Sequence, residues 1–308
     1  METPVQYSGE YCMSDVRQTL INEQLQIPGL DFFGHYQIMN AEAPLVTHYH
    51  KDLFEVTYIV RGLFTFSTEH QVYKLSGGDV FITKPNEIHG TDLMPLSTGE
   101  FYWFLLDCTK TDGVLFLDRS ATQNLLENLY KIPSHIVKTD TSEMKSLLKK
   151  AFNLALNQGN PYTETAYLTL FLQLLLEYST KTNLRLSPDI GKAVNYILDH
   201  ICEVPSLEML ASLCGLSASQ FKHKFKAQMG TSPRDFINLQ KIEYAKSLLL
   251  ENKNVTEIAM ELGFNTSSYF STVFKRYTSY TPLEYRKRNG QLHDAREELG
   301  SLRWKHFG

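Results

Sequence analysis

The feature that most constrains this chain is that its last third repeats itself. Ala211 to Gly215 matches Ala259 to Gly263 at an offset of 48 residues. Phe221, Phe225, Lys226 and Pro233 match Phe270, Phe274, Lys275 and Pro282 at an offset of 49, so the second copy carries one extra residue in its turn. A solenoid needs about three repeats to bury its faces, so the segment reads as two copies of one compact unit. Each copy is a short helix, a turn at glycine and a second helix. In the first, Leu207, Leu210, Ala211, Leu213 and Leu216 supply the inner face, Gly215 allows the positive φ of the turn, and Ser217 caps a helix running to Met229. That helix buries Phe221 and Phe225, an i,i+4 pair. The second copy has Ile258, Ala259, Leu262, Gly263 and Phe264, then Phe270 and Phe274. Small Ala211 and Ala259 let the two helices of each unit cross steeply. Ser232-Pro233 and Thr281-Pro282 each begin a further helix with a cap and a first-turn proline. The helix Pro233–Leu249 joins the copies.

With the phenylalanines inward, the outward set of the first unit is Ser219, Lys222, His223 and Lys226. In the second it is Ser267, Ser268, Ser271, Thr272 and Lys275. Residues near the start of such a helix reach base edges, and lysines further along reach phosphates. The net charge of -4 looks wrong for a polyanion partner, but it hides a split. From Asp189 onward there are 16 Lys+Arg against 13 Asp+Glu, leaving 14 against 21 before it. No acid falls between Met209 and Arg234 or between Leu262 and Leu283, while Lys222, Lys224, Lys226, Lys275 and Arg276 do. Two acid-free basic windows point to double-stranded DNA rather than to a merely solvated face.

Leu207 to Arg286 resembles the AraC/XylS family of bacterial transcription regulators. The resemblance is closest over Ile258-Ala259, Gly263-Phe264, Ser268-Tyr269-Phe270-Ser271, Phe274-Lys275, Pro282 and Tyr285-Arg286. It implies two recognition helices entering successive major grooves, and RNA polymerase as a further partner. Two departures stand out. Thr272 sits where many members carry a base-reading arginine, and Ser279 replaces a usual glycine.

The first part of the chain has a different texture. Residues 30–107 alternate short aromatic and β-branched runs with turn signals: Phe54–Val60 before Arg61-Gly62, Leu63–Ser67, Gln71–Leu75, Val80–Thr83 and Phe101–Leu106. That spacing predicts a sandwich or small barrel. Helical spacing follows over Glu143–Leu156, with Met144, Leu147, Leu148, Ala151, Phe152 and Ala155 on one face. A greasier helix, Tyr162–Tyr178, has more apolar residues than one face needs, which suits packing on the barrel and on a second subunit.

His48-x-His50-x4-Glu55-x6-Gly62 resembles the first motif of the cupin barrels, and Gly78, Pro85 and His89 resemble the second. Glu42 replaces the leading glycine. In metal-binding cupins the two histidines, the glutamate and the later histidine converge, and His48, His50, Glu55 and His89 supply all four types here. Sensor barrels of AraC-like regulators often keep such remnants without metal and bind sugars or other small polar effectors in the same cavity. Tyr36, Tyr58 and Trp103 join His48, His50, Glu55 and His89 as candidate effector contacts, although plain core packing suits Tyr58 and Trp103 equally. Three uses of the cluster stay open: effector sensing, a structural remnant, or a bound metal.

The four cysteines, Cys12, Cys108, Cys202 and Cys214, form no C-x-x-C pair, which argues against a zinc site or disulfide framework and suits a reducing compartment. Glu2, Glu10 and Asp15 interrupt any secretory signal, and the apolar run Tyr167–Leu176 is too short to span a bilayer. The expectation is a cytoplasmic α+β multidomain protein: a cupin-like β-barrel with helical extension over 1–180, a linker at 181–188, an all-α domain with two helix-turn-helix motifs over 189–290, and a charged tail at 291–308. The all-α domain should hold seven helices, beginning with Asp189–Glu203. The expected function is an effector-responsive, homodimeric transcription activator with no cofactor and no catalytic residues. The alternative is a metal-dependent cupin enzyme fused to a DNA-binding module.

Overall fold

The computed structural model describes residues 5–7, 9–69, 71–91, 94–139, 141–180, 187–251 and 253–288. The strands are β1 (Val5–Gln6), β2 (Cys12–Met13), β3 (Arg17–Ile21), β4 (Leu30–Ile38), β5 (His48–Tyr49), β6 (Leu53–Thr68), β7 (Val72–Ser76), β8 (Asp79–Thr83), β9 (His89–Gly90), β10 (Gly99–Asp107) and β11 (Ile136–Lys138). They join in the order β1-β5-β9-β6-β10-β4-β3-β2, with β7 and β8 also on β6 and β11 on β8. The path curls without closing on itself, giving a half-barrel.

The expected turn at Arg61-Gly62 is a bend inside one 16-residue strand, β6. Gly62 takes φ +104°, and a Cβ there would meet the Thr98 carbonyl oxygen at 2.6 Å. Before the bend β6 pairs with β8 and β10; after it, with β7 and β9. The glycine therefore curls the sheet instead of ending the strand.

Side chains alternate across a strand, and this sorts the half-barrel into two faces. On β10, Tyr102, Phe104 and Leu106 face a core shared with the helices, as do Phe54, Val56 and Tyr58 on β6 and Phe33 on β4. Their neighbours Phe101, Trp103 and Leu105, with Glu55, Thr57, Phe32 and Tyr36, face the hollow of the curl. The covering helices include α3 (Thr141–Leu156) and α4 (Pro161–Thr180), preceded in the chain by the four-residue α1 (Asn22–Leu25) and by α2 (Arg119–Lys131). Met144, Leu147, Leu148, Ala151, Phe152 and Ala155 are all buried, as their spacing predicts. The sequence reading passed over α2, whose start is fixed by Asp118 accepting from the Ala121 N–H at 2.8 Å.

The C-terminal part comprises α5 (Pro188–Asp199), α6 (Leu207–Leu213), α7 (Ala218–Met229), α8 (Pro233–Leu250), α9 (Val255–Glu261) and α10 (Ser267–Thr278), and residues 282–288 are also helical. The first of these was expected to run to Glu203, but it ends at Asp199, where His200 leaves helical geometry. Gly215 and Gly263 turn the two units with φ +67° and +69°. Ser217 caps α7 through a capping box with Gln220, and Thr266 caps α10. The rings of Phe221 and Phe225 pack at a tilt with centroids 5.4 Å apart in one core, and those of Phe270 and Phe274 edge-on at 5.6 Å in the other. Helix α8 enters both cores, through Phe236 in the first and Leu239, Ile242, Ala245, Leu248 and Leu249 in the second. Its 18 residues make it about 27 Å long. One inner-face expectation fails: Leu213 is 40% exposed, because only Leu210 and Ala211 point fully inward from so short a helix. Residues 181–186 of the expected linker and the expected 291–308 tail lie outside the described residues. No described helix is long and apolar enough to cross a membrane.

Candidate functional site

The hollow of the half-barrel is a cavity of about 460 Å³. Its wall is largely aromatic and aliphatic: Phe32, Phe66, Leu96, Phe101, Trp103 and Leu105. Trp103 lies against Gly34, where a Cβ would meet the indole at 2.5 Å, so the glycine makes room for the ring. Of the seven residues expected to contact an effector, six line this cavity: Tyr36, His48, His50, Glu55, His89 and Trp103. Tyr58 does not. Its even position on β6 turns it to the opposite face, where it is buried 6.0 Å from the Phe171 ring of α4.

At one end of the cavity, β5, β6 and β9 bring the histidines and Glu55 together. Residues His48 and His89 are paired across β5 and β9, and Glu55 projects from β6. Glu55 Oε2 stands 2.9 Å from Nε2 of both His50 and His89, and Oε1 accepts from the Thr57 hydroxyl at 2.9 Å. Burial would raise the Glu55 carboxyl, but the charge of His89 and the hydrogen bonds from His50 and His89 outweigh it and hold the group well below the usual carboxylate range. Burial likewise pulls His89 down, and the charge and hydrogen bond of Glu55 carry it up. His48 is pushed down to about 4 by burial and then by the neighbouring charge of His89. One donor atom from each of these four residues lies within 4.8 Å of the others, so the cluster could hold a metal ion.

Two cavity residues went unread in the sequence. Tyr7 sets its ring 5.4 Å from His48 and 5.9 Å from His50. Arg17, on β3, places its guanidinium 5.5 Å over the Tyr36 ring and 5.8 Å over Trp103, with a buried Nε that has no hydrogen-bond partner among the described residues. No motif marks either residue; only the pairing of β1 with β5 and of β3 with β4 carries them to the site. Tyr36 itself donates to Glu42, and burial and that bond raise its phenol. Glu42, which stands where the motif has glycine, is thus a partner of the wall.

The second candidate surface is the outward side of α7 and α10. Ser219, Lys222, His223 and Lys226 are exposed on α7, and Ser268, Thr272 and Lys275 on α10; Ser267 and Ser271 are half-buried. Lys224 is otherwise engaged, with its Nζ 2.6 Å from Asp189 Oδ2. The window around it is free of acids in sequence but not in space. On α10, Ser271 donates to the Ser267 carbonyl at 2.8 Å and Thr272 to the Ser268 carbonyl at 3.1 Å. Both hydroxyl hydrogens are therefore turned back into the helix.

A family model described as an AraC-like ligand binding domain matches residues 41–175, and one described as a helix-turn-helix domain matches residues 210–288. An uncharacterized HTH-type transcriptional regulator of Staphylococcus aureus (strain MRSA252) is 25% identical over 244 residues, or 75% of this chain; the chain spans 31% of that relative's length. The xylose operon regulatory protein of Escherichia coli (strain K12) is 31% identical over 106 residues, covering 34% of this chain and 27% of its own length. Among solved structures, the C-terminal domain of AraT, a response regulator from Geobacillus stearothermophilus, is 32% identical with a TM-score of 0.33, covering 34% of this chain and 88% of that one. ToxT from Vibrio cholerae is 14% identical with a TM-score of 0.32, covering 89% of this chain and 98% of its own. The two family matches fall on the half-barrel with its helices and on the paired helix-turn-helix units, and the chain belongs to the AraC family of helix-turn-helix regulators, with an AraC-like ligand-binding domain ahead of that pair.

Proposed function

We propose that this chain is a sequence-specific regulator of transcription that binds double-stranded promoter DNA through α7 and α10 and responds to a small molecule held in the half-barrel cavity. The observation that carries the DNA reading is the pair of equivalent helices, each anchored by a buried phenylalanine pair and each presenting hydroxyls and cations outward. The cavity supports the effector reading. An apolar ring, or the apolar face of a sugar, would lie against Phe101 and Trp103, and its polar atoms would turn to Arg17, Tyr36 and the histidine end. Activation through RNA polymerase, and function as a homodimer, are carried by the family resemblance alone. The alternative of a metal-dependent cupin enzyme loses support because the family is one of regulators rather than enzymes.

Salt titration of the full chain on promoter-length DNA tests the first half of the proposal. Affinity should fall by about 10³–10⁵ over roughly a fourfold rise in salt if six to ten phosphates are contacted. A flat profile, or no binding, would refute it. Thermal-shift screening of sugars and other small metabolites tests the second half, with Trp103→Ala as the control. A compound that raises the melting temperature of the parent chain but not of the variant supports the cavity as the effector site. Shifts of equal size in both would place binding elsewhere.

A further inference from the structure

The polar groups of the cavity are largely spent on one another. Tyr36 gives its hydroxyl hydrogen to Glu42, and Thr57 gives its own to Glu55, whose other oxygen stands between His50 and His89. Arg17 departs most from this pattern. A guanidinium offers five N–H donors. Among the described residues only Nη2 finds an acceptor, the Tyr7 hydroxyl at a long 3.5 Å, and the buried Nε finds none. Arg17 also forms no ion pair among the described residues. It is the one lysine or arginine among the described residues that line the cavity.

Strand pairing puts the charge there. Arg17, Tyr36 and Phe101 are neighbours in a row across β3, β4 and β10, and Thr19, Gly34 and Trp103 form the next row on the same face. Gly34 lets the indole of Trp103 lie close over the sheet, and the guanidinium rests over Tyr36 and Trp103. Two ring faces steady the cation, but they leave its N–H edge without strong acceptors. A half-buried cation is costly unless paired. The group that matches a planar N–H fork is a carboxylate, which brings two acceptor oxygens and one opposite charge. Beyond the fork the wall turns apolar, with Phe66, Leu96, Phe101 and Leu105. A neutral sugar would set several hydroxyls against that wall, where burial without partners opposes it.

We propose that the effector is a carboxylic acid with an apolar body, its carboxylate seated on the Arg17 guanidinium and its body lying along Phe101 and Trp103. This rests on the reading of the cavity as the effector site and narrows it from any small metabolite to an organic anion. A single arginine matches one negative charge, which suits a monocarboxylate better than a doubly charged phosphate ester.

The test titrates the full chain with phenylacetate, cinnamate and octanoate, each beside its primary amide, which keeps the shape and removes the charge. Affinities come from the dependence of the melting temperature on ligand concentration. At least one acid should bind the parent chain about tenfold or more tightly than its amide, as expected of a charge-assisted contact. Arg17→Gln should bring the acid down to the level of the amide while the amide holds. Arg17→Lys, which keeps the charge without the fork, should fall between and serves if Arg17→Gln does not melt cooperatively. Equal affinity of acid and amide in the parent chain would overturn the proposal. So would an undiminished acid preference in the folded variants, which would place the carboxylate on another cation. A neutral sugar that shifts the melt while every acid fails would also overturn it, yet leave the cavity as an effector site. Silence from acids, amides and sugars alike would overturn both readings.

Discussion

Ser279 stands at the end of α10 where Gly230 stands at the end of α7. Both have φ 66°, and both close the helix, Gly230 N–H onto the Lys226 carbonyl and Ser279 N–H onto the Lys275 carbonyl, each at 2.9 Å. Glycine enters the left-handed region freely; an L-residue is penalised by roughly 1–2 kcal/mol. Ser279 carries a second burden, a buried hydroxyl without a hydrogen-bond partner among the described residues. Ser279→Gly should therefore stabilise the C-terminal part by about 1 kcal/mol, net of the extra freedom glycine gives the unfolded chain. Urea unfolding of the full chain, followed by far-ultraviolet circular dichroism, reads it out. A lower midpoint in the variant would contradict the account.

Glu164 in the first turns of α4 is 2% exposed, with one carboxylate oxygen unbonded among the described residues, and burial pushes its carboxyl up to about 8. The acid is neutral when folded at pH 6 and ionised when unfolded, so between about 4.5 and 8 the native state holds the extra proton. Stability must then fall as pH rises through that window and level off above it. The size is on the order of a few kcal/mol. Glu164→Gln should flatten the pH dependence and raise the melting temperature most at pH 8 and above. Parallel melting curves for variant and parent across pH 5–9 would show that the carboxyl finds water or a partner.

The repeat made the C-terminal architecture legible because its signals are local. Gly215 and Gly263 mark turns, the phenylalanine pairs mark buried faces, and caps precede prolines. The cavity was legible where a motif survives, as with His48, His50, Glu55 and His89. It was not legible where pairing across the sheet decides. Tyr58 was grouped with the effector contacts as an aromatic of the motif strand, although its place three residues from Glu55 within the run Phe54–Val60 puts it on the opposite face, the core packing that suited it equally. Arg17 was passed over because β3 is a short strand without a turn signal, and Lys224 seemed free because Asp189 lies 35 positions away.

That last pair separates the lysines of α7. Lys224 is tied to Asp189, while Lys222 and Lys226 are exposed. Lys222→Ala should weaken DNA binding and, with His223→Ala, relax base preference at one half of the site, because both residues lie in the first two turns of the helix. Lys224→Ala should cost little affinity. Lys275→Ala, near the end of α10, should weaken all sequences alike and reduce the salt slope by about one. Binding of the four variants to matched and scrambled sites measures this. Equal, sequence-blind losses for all four would refute the assignment.

The same geometry predicts that the first unit carries more sequence information than the second. Family resemblance places an arginine at the position of Thr272, and a bidentate arginine–guanine contact is worth about 1–3 kcal/mol of discrimination. Threonine cannot make that fork. Here it is further restricted, since its hydroxyl hydrogen goes to the Ser268 carbonyl at 3.1 Å and that of Ser271 to the Ser267 carbonyl at 2.8 Å. Each hydroxyl is left with lone pairs able to accept from an adenine or cytosine amino group, and a threonine methyl can touch thymine, but neither grips two acceptors at once. Lys275 and Arg276 remain exposed for phosphates, so docking of α10 should survive while its readout is shallow. Thr272→Arg should sharpen the preference for guanine at one position under α10 by roughly tenfold, the lower part of the bidentate range. Selection from a randomised operator, read position by position, decides the matter. Information concentrated under Ser267–Thr272 in the parent chain, or a Thr272→Arg profile identical to it, would sink this reading.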